Sequence, residues 1–114
     1  MGWTWPWKRA GKNEAAVPRG AVRHRIRYTG RVQAVGFRYT ATGVASGADV
    51  TGWVKNLADG DVLIEVQGTP EQVEEFEAKL TEECDSPRTW IEATLVSRES
   101  IEPVADERGF KVAY

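Results

Sequence analysis

Hydrophobic and polar positions alternate through residues 22–29, with Val22, His24, Ile26 and Tyr28 on one side and Arg23, Arg25 and Arg27 on the other. A period of two predicts a half-buried strand, and the arginines read as its solvated face. From residue 37 the period changes. Phe37, Ala41, Val44 and Ala48 recur at helical spacing over 37–48, although Gly43 and Gly47 interrupt it at a cost of about 1 kcal/mol each relative to alanine. Runs over 50–55 and 62–66 are strand-like and flank Asp59-Gly60, a turn dipeptide, which predicts a hairpin with Asn56 near its entry and Trp53 packed in or near the core. A second helix is signalled by Thr69 as N-cap, Pro70 at the first helical position and Gln72 completing a capping box. Val73, Phe76 and Leu80 then share one face up to about Glu83.

After Asp85-Ser86-Pro87 the alternation returns in Ile91, Ala93 and Leu95, and again in Phe110, Val112 and Tyr114. The order β-α-β-β-α-β, with one extra short strand, predicts an α+β fold. Its antiparallel sheet carries two helices on one face, the ferredoxin-like α/β sandwich. That architecture hosts many activities, so function has to be argued from a site.

Residues 1–20 break with this pattern. Trp3, Trp5 and Trp7 precede Lys8, Arg9 and Lys12, and Pro6, Gly11, Pro18 and Gly20 interrupt any period. The segment reads as a flexible tail preceding a single domain over 21–114, and a partner's groove or a membrane surface is the other use for such a composition. Membrane association is not expected, because no amphipathic period is sustained. Gly2 is followed by Pro6 where a myristoylation signal needs Ser or Thr.

Composition narrows the function classes. The 114 residues are 41% hydrophobic with a formal net charge of −2, which fits a soluble globular chain and argues against nucleic acid as a partner. Cys84 is the only cysteine, so neither an internal disulfide nor a cysteine metal site can form. No apolar run approaches the roughly 20 residues of a membrane span, and the N-terminus lacks a signal-peptide core, so a cytoplasmic monomer is expected. His24 lies within a strand pattern and Cys84 reads as a small apolar residue, so neither is assigned catalysis.

The chemistry concentrates in two stretches, Gly30-Arg-Val-Gln-Ala-Val-Gly-Phe-Arg38 and Gly52-Trp-Val-Lys-Asn56. The first leaves a strand through glycines and small residues and opens a helix, so successive backbone N–H groups can converge on an anion and the helix dipole adds to the attraction. Arg38 offers a permanently charged fork suited to a phosphoryl group, and Arg31 adds positive potential. A cation at a helix start opposes the dipole, which makes sense when an anion binds. Asn56 carries both a donor and an acceptor and can hold a water, although asparagine is also a common turn former. Neither stretch contains a His, Cys or carboxylate to act as a strong base, so a good leaving group is indicated.

Both stretches resemble the signature motifs of the acylphosphatase family, in order and separation, and the resemblance covers residues 22–114. It implies a ferredoxin-like fold and hydrolysis of the carboxyl–phosphate bond of small-molecule acyl phosphates, giving a carboxylate and inorganic phosphate without metal or cofactor. It assigns phosphate binding to Arg38 with the loop amides of Val32, Gln33, Ala34, Val35, Gly36 and Phe37, and orientation of the attacking water to Asn56. Two departures stand out: Ala34 occupies a cradle position usually held by glycine, and Ala48-Asp49 replaces a Leu-Gly pair. If position 34 needs a positive φ, alanine there costs roughly 1–2 kcal/mol. The competing readings are a non-catalytic anion-binding module, such as the acylphosphatase-like domain of carbamoyl-transfer enzymes of hydrogenase maturation, and a nucleic-acid-binding sheet. The strands lack the aromatic stacking pair that the latter requires.

Overall fold

A computed structural model describes residues 17–34 and 36–114. The expected tail falls largely outside the described residues, as does Val35. Strand β1 (Val22–Arg31) is followed by helix α1 (Phe37–Ala48), the hairpin β2 (Thr51–Asn56) and β3 (Val62–Gly68), helix α2 (Pro70–Cys84), and strands β4 (Glu92–Ile101) and β5 (Phe110–Ala113). The sheet order is β4-β1-β3-β2-β5, with both helices on one face. All neighbours are antiparallel except β5, which runs parallel to β2 and makes the sheet mixed.

The period of two in β1 and β3 sorts their side chains. Ile26 and Tyr28 of β1, with Val62, Ile64 and Val66 of β3, face the helices and meet Phe37, Ala41 and Ala45 of α1 and Val73, Phe76 and Leu80 of α2. The Tyr28 and Phe37 rings lie 5.3 Å apart, fixing the start of α1 over the middle of the sheet. Ala45 enters the core where the spacing had pointed to Val44, which is only partly buried. Asp49 ends α1 in the left-handed conformation (φ 60°) with its N–H on the Ala45 carbonyl. A short polar side chain tolerates that conformation, so the helix stop survives without glycine.

Two expectations fail on the opposite face of the sheet. Arg23 is not solvated: it is 2% exposed, with its guanidinium bonded to Glu65 (2.8 Å), Gln67 (3.1 Å) and both carboxylate oxygens of Glu107 (2.8 and 3.1 Å). Trp53 points away from the helices and lies outside the core, half-buried beside β5. The cause is the connection over 102–109, which no periodicity announced. It lies across this face, with Gln67 exchanging two hydrogen bonds with the Val104 backbone (2.8 and 3.0 Å) and Thr51 donating to Glu107 (2.7 Å). This covering buries Arg23 and lays β5 alongside β2, which carries the chain to Tyr114.

Candidate active site

The strand-to-helix turn starts at Gly30, whose φ of 109° and close backbone approach leave no room for a side chain: an added Cβ would sit 2.2 Å from the Glu92 carbonyl oxygen. Here β1 still pairs with β4, through Gly30 with Ala93 and Arg31 with Glu92. The Val32 side chain is buried in the core, and its N–H turns back to the Gly30 carbonyl at 3.1 Å. That amide is therefore already engaged, unlike the free donor the motif implied. Ala34 follows with φ 61°, so its position does demand the left-handed conformation, and Gly36 (φ 87°) leads into α1.

The start of α1 is open. Gly36 supplies no side-chain cap, no acidic residue lies in the first turn, and the first turn includes Arg38. Among the described residues no carboxylate lies within ion-pairing distance of Arg38; its guanidinium instead stands 5.7 Å from the centre of the Tyr114 ring. Val32, Ala34, Gly36, Phe37 and Arg38 line one cleft of about 240 Å³, closed on its other side by Tyr39, Thr42, Val112 and Tyr114. The Phe37 ring is core and only its backbone is available to this cleft. Tyr39 and Tyr114, which flank Arg38, are 85% and 96% exposed.

Gln33 does not line the cleft. Its side-chain amide donates to the carbonyls of Leu57 (2.8 Å) and Asp61 (2.9 Å), tying the turn to the loop of the β2–β3 hairpin. That loop is fastened in turn to β1, where hydrogen bonds from Thr29 and then Arg27 hold the Asp61 carboxyl below the usual range, and Arg27 also contacts Asp59. Asn56 immediately precedes Leu57, on the helix-facing side of β2 that it shares with Val54. It is not among the residues lining the cleft. Its Oδ1 is buried and has no hydrogen-bond partner among the described residues. An unpaired buried carbonyl oxygen costs about 1–3 kcal/mol, and such a position is retained where a ligand or water is to be held.

The structure thus gathers four of the cradle residues, Val32, Ala34, Gly36 and Phe37, beside Arg38, and ties the turn through Gln33 to the Leu57 carbonyl, next in the chain to Asn56. Periodicity had no means of finding Tyr114, which approaches Arg38 only because β5 adds to the sheet edge. Neither His24 nor Cys84 lines the Arg38 cleft: His24 bonds Glu77 at 2.9 Å, and burial pushes the Cys84 thiol up to about 11. Among the described residues, no group of three His, Cys, Asp or Glu side chains is placed to hold a metal ion, and no helix is long and apolar enough to cross a membrane.

The sequence and the fold are both similar to known proteins. The family model described as Acylphosphatase matches residues 24–112. The chain is similar to an acylphosphatase of Syntrophotalea carbinolica, 37% identical over 83 residues, which are 73% of this chain and 88% of that protein. The crystal structure of acylphosphatase from Bacillus subtilis superposes with a TM-score of 0.70 at 31% identity, covering 82% of this chain and 99% of that one. The crystal structure of T. kodakarensis HypF gives the same TM-score at 30% identity, covering 82% of this chain but only 12% of that one. With the family match spanning most of its length, and the strand-to-helix turn built around Arg38, the chain belongs to the acylphosphatase family.

Proposed function

We propose that the protein is a metal-independent hydrolase of acyl phosphates, releasing a carboxylate and inorganic phosphate, with Arg38 and the turn amides from Gln33 to Phe37 binding the phosphoryl group. The observation that carries this reading is a cation with no carboxylate partner among the described residues, in the first turn of a helix without a side-chain cap. Such an end attracts an anion through both the orphan N–H groups and the dipole, and Arg38 adds a planar fork. Transfer of a phosphoryl group asks chiefly for positioning and for neutralisation of the equatorial oxygens, and this site offers both.

In the proposed step the oxygen of a water attacks phosphorus in line with the acyl oxygen. The unpaired Oδ1 of Asn56 accepts a hydrogen bond from that water and aims its lone pair. The P–O bond to the acyl group breaks with its electron pair leaving on the carboxylate, and the water proton passes to a phosphate oxygen. A carboxylate is a weak base and leaves without a general acid, which suits a site with no His, Cys or carboxylate in either motif. Alkyl phosphate monoesters, with basic leaving groups, should be poor substrates.

The reading is tested by hydrolysis of benzoyl phosphate in the presence of EDTA, comparing the wild type with Arg38→Ala. Turnover that survives EDTA and collapses in the variant supports it. Phosphate binding without turnover in the wild type would instead identify a non-catalytic anion-binding module.

A further inference from the structure

A groove of about 450 Å³ runs between the outer faces of α1 and α2, with Tyr39, Gly43, Val44 and Gly47 on one wall and Glu75, Lys79 and Glu83 on the other. Gly43 and Gly47 are exposed, neither has a positive φ, and a methyl group added at either would meet nothing within 4 Å. Neither space nor backbone conformation therefore asks for glycine, yet α1 forgoes about 1 kcal/mol at each position relative to alanine. What the pair provides is a flat wall against which a planar ring can lie. At its upper end the groove reaches Tyr39, which also lines the Arg38 cleft.

The chain itself supplies an occupant. Residues 1–16 carry Trp3, Trp5 and Trp7 followed by Lys8, Arg9 and Lys12, with Glu14 their only acidic residue, and they precede the family match that begins at residue 24. The facing wall is acidic on balance: Glu75 and Glu83 flank Lys79, the only basic side chain of α2, which is itself paired with Glu82 (3.6 Å). The chain also enters the described fold at the right end. Val22 pairs with Gly68, directly before the α2 cap, and a Cβ at Gly68 would lie 3.2 Å from Val50, just beyond the end of α1. Both the end of α1 and the start of α2 are therefore beside this entry point, next to Gly47 and Glu75. From Gly47 to Tyr39 the groove follows about 12 Å of helix, whereas a segment the length of residues 1–16 can reach about 50 Å when extended.

We propose that residues 1–16 dock into the α1–α2 groove of their own chain, with indole rings against the Gly43–Gly47 wall and Lys8, Arg9 and Lys12 facing the acids of α2. Tethering places the segment at a high effective concentration beside its groove, which favours the same chain over a second copy. The tail then remains a segment without a core of its own, but not a loose one.

The test uses the isotopically labelled full chain. Cross-relaxation is expected between the indole N–H of at least one of Trp3, Trp5 and Trp7 and the α-protons of Gly43 or Gly47, unchanged on dilution. Replacing all three tryptophans by alanine should shift the amides of Tyr39, Gly43 and Gly47. Substituting Gly43→Leu and Gly47→Leu fills the groove without backbone strain and should abolish the cross-relaxation while leaving the remaining amide spectrum folded. Three outcomes overturn the proposal: indole signals at unstructured positions with no contact to α1, contacts that fade on dilution and so belong to a second copy, or indole ordering that appears only with phosphatidylglycerol vesicles.

Discussion

The two helices of this protein begin in opposite ways. At the start of α2 the Thr69 hydroxyl accepts from the Gln72 N–H at 3.1 Å, the Gln72 side chain accepts from the Thr69 N–H at 2.9 Å, Pro70 removes one donor and Glu71 complements the dipole. At the start of α1 there is no cap and no acid, and Arg38 adds positive charge to an already positive end. One end satisfies itself; the other leaves its donors for something that arrives. A cap typically contributes about 1 kcal/mol, so the open end gives up stability at the place where an anion would recover it. The same contrast holds within the sheet, where Arg23 is saturated by Glu65, Gln67 and Glu107 while the buried Asn56 oxygen has no partner among the described residues.

The sharpest way to break the contrast is to remove the cation from the open end. Arg38→Ala should lower kcat/KM for benzoyl phosphate by roughly 100-fold or more, the usual consequence of deleting a donor to a developing anionic charge. Near-normal activity would make the uncapped helix start a structural accident. Because Arg38 has no carboxylate partner among the described residues, its loss should leave the urea midpoint close to that of the wild type.

Asn56→Ala comes next in size. A misplaced water costs on the order of 100-fold in rate, and the loss should fall on kcat, with KM little changed. Stability is the more telling readout here. An asparagine with a structural role loses its hydrogen bonds on truncation, whereas the Asn56 Oδ1 has no protein partner to lose among the described residues. The variant should therefore unfold at a denaturant concentration no lower than the wild type, apart from the small loss of packed side-chain volume. A marked destabilisation with unchanged kcat would make Asn56 a turn residue.

These roles were legible to different degrees, and for physical reasons. The capping box at Thr69 and the alternation in β1 are local: each depends on residues within a few positions of one another, and the structure reproduces them. Ala34 could be flagged because glycine and alanine differ in their access to positive φ, and its φ of 61° bears out the concern. Long-range effects were not legible. Whether Arg23 is solvated depends on Glu107 and Val104, more than 80 residues away, which cover a sheet face that its own alternation marked as polar. Likewise, Gln33 reads as one more loop residue until the Leu57 and Asp61 carbonyls are seen to lie within reach of its amide.

At the closed end the expected effect is on stability alone. Thr69→Ala removes the side-chain acceptor for the Gln72 N–H and should cost about 1 kcal/mol, read from the urea midpoint at constant slope. Since α2 contributes no residue to the Arg38 cleft, kcat/KM should not move. A fall in activity in the still-folded protein would show that the two helix ends are coupled, and the contrast between a structural end and a functional one would fail.

The smallest effect sharpens the comparison from the open side. Ala34 holds φ 61° without glycine's freedom, at a cost of roughly 1–2 kcal/mol in the left-handed region. Ala34→Gly relieves that strain but gives the unfolded chain more freedom, a loss of roughly 0.4–1 kcal/mol, so the net gain in stability should lie between zero and about 1.6 kcal/mol. The neighbouring amides belong to the proposed cradle, so the strain also bears on phosphate affinity. If alanine displaces an amide from the phosphate, the glycine variant should bind inorganic phosphate more tightly as a competitive inhibitor and show a raised kcat/KM. A gain in stability with unchanged phosphate inhibition would place the strain in the fold alone, leaving the open helix end and Arg38 as the source of anion binding.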